Sequence, residues 1–119
     1  MSRVFYKSAY YQVRVYTPAG LKKLRKVMAE IYFCILSQSN TRETDEAKIA
    51  KRAGLFADSK LGAINFSDTH IRLELKKVGW FMYRIYLSHI KPNELAAIDV
   101  IIREYGFSPT VKEGEIVEV

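Results

Sequence analysis

Trp80-Phe81-Met82-Tyr83-Arg84-Ile85-Tyr86-Leu87, set beside Tyr10-Tyr11-Gln12-Val13-Arg14-Val15-Tyr16, decides the fold. Successive side chains of a strand point to opposite faces, so each run builds two surfaces. One parity is apolar throughout: Tyr11, Val13 and Val15 in one run, Phe81, Tyr83, Ile85 and Leu87 in the other. The other parity mixes rings with guanidinium groups: Tyr10, Arg14 and Tyr16, then Trp80, Arg84 and Tyr86. Each run therefore offers a core face and a face suited to contact.

Working outward, Thr17-Pro18 stops the first strand and opens a helix, with threonine as cap and proline in the first turn. Leu21, Leu24, Val27, Met28, Ile31 and Ile35 recur at helical spacing. A polar break over 37–41 precedes a short helix over about 45–53, where Gly54 is expected as its left-handed cap. Residues 63–66 suit a short strand. Strict alternation over 70–76 predicts another, turned by Lys77-Val78-Gly79 into the strand over 80–87. Pro92 opens a last helix, with stripe Leu95, Ile98, Ile101, Ile102 and Tyr105 and with Gly106 ending it. Residues 115–119 form a final strand.

The order predicts a single α+β domain over residues 1–119. Helices would cover one face of a four-stranded antiparallel sheet. The split β-α-β pattern is the ferredoxin-like two-layer sandwich, here with an extra inserted helix. Its first and third core strands are neighbours, which would set Tyr10, Arg14 and Tyr16 beside Trp80, Arg84 and Tyr86 on the open face.

Nineteen Lys and Arg against 13 Asp and Glu give a net charge of +6. The excess lies in residues 1–60, with 12 basic against 5 acidic residues; residues 61–119 hold 7 against 8. Such asymmetry favours an anionic partner, although lysines that merely solvate helix faces would give the same count. Cys34 is the only cysteine, so no internal disulfide or cysteine-based zinc site can form, and its apolar helical setting predicts inert burial. With no secretory leader pattern and no apolar run near ~18 residues, the expectation is a cytoplasmic protein without membrane contact.

Single-stranded bases stack on rings and guanidinium planes at ~1–3 kcal/mol per base, while cations hold phosphates. Tyr10, Tyr16, Trp80 and Tyr86 would stack; Arg14, Arg72, Lys76 and Arg84 would hold phosphate or bases. Four-stranded RNA-recognition domains use this geometry. Gly79-Trp80-Phe81-Met82, however, has a large ring where that family's strand signature has a small residue. The function expected is thus a small, basic, non-enzymatic module binding single-stranded nucleic acid, RNA first. The alternative is a protein-interaction module whose sheet face forms a homodimer or partner interface. A minority reading takes residues 44–55 and 78–80 as parts of a winged-helix DNA-binding protein. No catalytic set, metal motif or cofactor loop can be assembled around His70 and His89, the two histidines.

Overall fold

The computed structural model describes residues 4–37, 44–57, 63–65 and 71–118. Its elements run β1 (Val4–Arg14), α1 (Pro18–Ser37), α2 (Glu46–Ala57), β2 (Ala63–Asn65), β3 (Arg72–Gly79), β4 (Met82–Ile90), α3 (Pro92–Glu104), β5 (Thr110–Glu113) and β6 (Ile116–Glu118). The strands form one antiparallel sheet in the order β2-β3-β4-β1-β5, and β6 also pairs with β1. The chain is a mixed α+β protein with α1 and α3 on one face of that sheet.

The core follows from the apolar parities. Ala9, Tyr11, Val13, Val15, Leu73, Ile85 and Leu87 from the sheet meet Leu24, Val27, Met28, Ile31, Cys34 and Ile35 from α1. Leu95, Ile98, Ile101 and Ile102 of α3 complete it. The Tyr11 hydroxyl donates to the Leu95 carbonyl at 2.7 Å, tying α3 to the central strand. Burial pushes that phenol well above its ordinary range, and the nearby carboxylate of Asp99 adds to the shift. Thr17 caps α1 by accepting the Gly20 N–H at 3.0 Å, with Pro18 as the first helical residue. Cys34 is buried, and burial raises its thiol pKa, with Glu94 contributing.

Asp45 starts α2, its carboxylate accepting the Ala47 N–H at 3.0 Å. This helix packs on α1 through Ala29, Ile49 and Ala53, and the Arg52 guanidinium lies 4.0 Å over the Tyr32 ring. It therefore adds to the helical side, while β2 extends the β3 edge. Neither covers the opposite face of the sheet.

On the other edge, β5 and β6 behave as one interrupted strand along β1. The break is bridged by Gly114 N–H donating to the Ser8 carbonyl and Lys7 N–H to the Glu115 carbonyl, both at 2.8 Å. A Cβ at Gly114 would sit 2.6 Å from the Ser8 oxygen, so only glycine fits that close approach. Inward alternation also breaks once. It passes from Ile85 and Leu87 to Ile90 and from Ala9 to Tyr6, with His89 at φ 56°.

Several expectations are corrected. The hairpin turn is Trp80-Phe81, not Lys77-Val78-Gly79, because β3 runs on through a register shift between Lys77 and Gly79. Phe81, not Gly79, supplies the positive φ of 56°, and Phe81 is exposed rather than inward. Trp80 is thus a turn residue, and Tyr16 lies beyond the end of β1. Gly54 sits inside α2 instead of ending it. The sheet has six strands, not four, among the described residues. Residues 72–79 are strand, which removes the recognition helix that a winged-helix reading needs. His70 and Phe66 lie outside the described residues. Among those described, no helix is long and apolar enough to cross a membrane.

Candidate nucleic-acid interface

Pairing of β1 with β4 and β5, and of β4 with β3, sets the open face in rows. Lys112, Tyr10, Tyr86 and Glu74 form one row; Thr110, Gln12, Arg84 and Lys76 form the next; Arg14, Met82 and Gly79 lead to the hairpin tip. Cross-strand partners share a face, so the register itself brings Tyr10, Arg84 and Tyr86 together. The rings of Tyr10 and Tyr86 are 5.5 Å apart, and the Arg84 guanidinium lies 4.4 Å over Tyr10. Its Nε donates to Gln12 Oε1 at 2.9 Å and its Nη1 to the Tyr86 hydroxyl at 3.2 Å. The bond to Tyr86 lifts the Arg84 pKa above its ordinary value, so this side chain is a fixed cation held in a half-buried cluster.

The second grouping is at the tip. Tyr16 and Phe81 rings are 5.5 Å apart, and Trp80 meets Phe81 edge-on at 6.3 Å. These rings face solvent: Trp80 is 88% exposed, Tyr16 63% and Phe81 47%. A cleft of about 470 Å³ is lined by Lys77, Gly79, Trp80 and Phe81. Arg14 and Lys76 are exposed in the rows that lead there, and Lys77, which pairs with Tyr83 on the other parity of β3, is exposed at the cleft itself. Residues 14–29 and 75–93 carry nine Lys and Arg and no Asp or Glu. Cations beside flat apolar rings suit an anionic ligand with stacking groups.

Eight residues were expected to act together, and the structure divides them. Tyr10, Arg84 and Tyr86 form the central cluster, and Tyr16 and Trp80 the tip. Met82 and Tyr83, the first residues of β4, lie between Arg84 and the Trp80-Phe81 turn. Arg14 and Lys76 flank the path between the two. Arg72 stands apart, opposite Ser88, and pairs with Glu74 at 3.5 Å, which partly offsets its charge. Gln12, Lys77, Phe81 and Lys112 were not among the expected site residues. Parity marks Gln12 as outward but puts Phe81 inward, Lys77 reads as a turn residue, and nothing in the sequence places Lys112.

Among the described residues no group of three or more His, Cys, Asp or Glu could hold a metal ion. Comparison with protein-family models, with curated proteins and with solved structures gives no match.

Proposed function

We propose that this chain is a non-enzymatic module that binds single-stranded nucleic acid, RNA first. The strand would run across the β1–β4 face and over the hairpin tip. The strand order β3-β4-β1-β5 with its two helical crossovers reads as ferredoxin-like, with α2 and β2 inserted. One observation carries the functional reading: three solvent-facing rings, Trp80, Phe81 and Tyr16, adjoin Arg14, Lys76 and Lys77 in segments without acids. Bases stack on the tip rings and the cations meet phosphates. The test is affinity for a labelled eight-nucleotide oligouridylate, with Trp80→Ala and Tyr16→Ala each tested. Each should weaken binding by about 1–3 kcal/mol and leave the melting transition in place. Unchanged affinity in both variants would reject the reading.

A second reading rests on the same exposed apolar surface, which with Val78 is the kind of patch that also serves self-association. A dimer joined there would become a monomer in Trp80→Glu, as seen by sedimentation. A wild-type monomer at high concentration would end that reading.

A further inference from the structure

The central cluster carries information about which bases suit it. Guanidinium groups donate hydrogen bonds and cannot accept them. The Gln12 atom 2.9 Å from Arg84 Nε must therefore be the carbonyl oxygen, which turns the Gln12 amide NH2 the other way. That NH2 has no acceptor among the described residues. The same logic holds for Tyr86. Its oxygen accepts from Arg84 Nη1, so its own proton is left to donate elsewhere. Arg84 adds its remaining N–H groups. Beside the Tyr10 and Tyr86 rings the face thus offers donors from Gln12 and Tyr86, while the acceptor in the same row, Glu74, is paired with Arg72 at 3.5 Å.

We propose that this cluster selects uracil, whose Watson–Crick edge carries two carbonyl oxygens, over adenine and cytosine, whose edges carry an exocyclic amine. The inference rests on the nucleic-acid reading above and gives it a base preference. Uracil brings two carbonyl oxygens to the Gln12 amide and the Tyr86 hydroxyl. Guanine brings the O6 and N7 acceptors, the pair that arginine commonly contacts. Adenine has no carbonyl oxygen and cytosine only one, and each sets an amine against the Gln12 and Tyr86 donors, so at least one half-buried donor is left unpaired, which is how polar sites reject the wrong partner.

The experiment compares eight-nucleotide rU, rC and rA oligomers on the wild-type chain and on Gln12→Glu. The glutamate keeps an oxygen for Arg84 but removes the donor. Wild type should bind rU roughly tenfold tighter than rA and rC, about one well-placed hydrogen bond. In Gln12→Glu the rU:rA ratio should fall toward one, whatever happens to overall affinity. Tyr86→Phe, which keeps the ring and loses the hydroxyl, should lower the same ratio; it decides the matter if Gln12→Glu fails to fold. Equal binding of all three oligomers, or a preference for rA, overturns the base preference while nucleic-acid binding stands. Failure of every oligomer to bind removes both.

Discussion

The backbone N–H of Val15 donates to the carbonyl of Phe81 at 2.8 Å, joining the end of β1 to the hairpin tip. This bond holds Phe81 at φ 56°, a conformation that costs a side-chain-bearing residue roughly 1–2 kcal/mol. It also sets the Tyr16 ring against Phe81 and so assembles the exposed aromatic cluster. Phe81 thus serves both the hairpin turn, which its positive φ shapes, and the aromatic cluster, which its ring completes.

Phe81→Gly separates the two. Glycine accepts the positive φ without strain, so stability in a urea titration should change by less than about 1 kcal/mol. Oligonucleotide affinity should fall, because Tyr16 and Trp80 lose the ring between them. Loss of stability by several kcal/mol with affinity intact would show the ring to be a folding element.

Arg14→Ala combined with Lys76→Ala tests the electrostatic half. Each phosphate contact on a single strand contributes about 0.7 to the slope of log affinity against log salt. The double variant should flatten that slope by roughly 1.4 and leave the fold unaltered. Arg84→Ala should differ, since it strips Gln12 and Tyr86 of their shared partner and disturbs the face itself.

Gly114→Ala probes the far edge. Its new methyl would press on the Ser8 carbonyl from 2.6 Å and force β5 and β6 away from β1. Chemical denaturation should report a loss of roughly 1–3 kcal/mol. A neutral result would mean that the β5–β6 edge adapts freely.

Alkaline pH supplies another test. Burial raises the folded-state pKa of Tyr11 above its unfolded value of about 10. The neutral phenol's contribution is therefore fully present below about pH 10 and is lost as pH rises toward the folded pKa. Tyr6 is shifted the same way, by burial and then by its hydrogen bond to Glu113. Wild-type stability should decline above about pH 10, and more steeply than that of Tyr11→Phe. The variant should itself be about 1 kcal/mol less stable near neutrality, for want of the bond to Leu95. Parallel pH profiles would contradict the assignment.

Much of this arrangement is written locally. The α1 stripe, the α3 stripe with Gly106 at φ 88°, and the two-faced parity of β1 and β4 are short-range patterns, and each is found where periodicity puts it. The turn was not legible, because Lys77-Val78-Gly79 holds the turn-type residue whereas the positive φ falls on a phenylalanine, which sterics disfavour. Strand β5 is not legible in the sequence because Thr110, Val111, Lys112 and Glu113 are all exposed and carry no apolar alternation. Arg84 reads in sequence as an open cation. Its Gln12 partner is 72 positions away and appears only once β1 and β4 are paired.

Trp80 is the chain's single tryptophan, so its emission reports on the tip alone. Titrating the protein with an eight-nucleotide oligouridylate should quench that emission to saturation, with a midpoint that moves to higher concentration as salt is added. Emission that stays unchanged while an independent assay registers binding, or no binding up to millimolar oligonucleotide, would contradict the placement of bases on the tip.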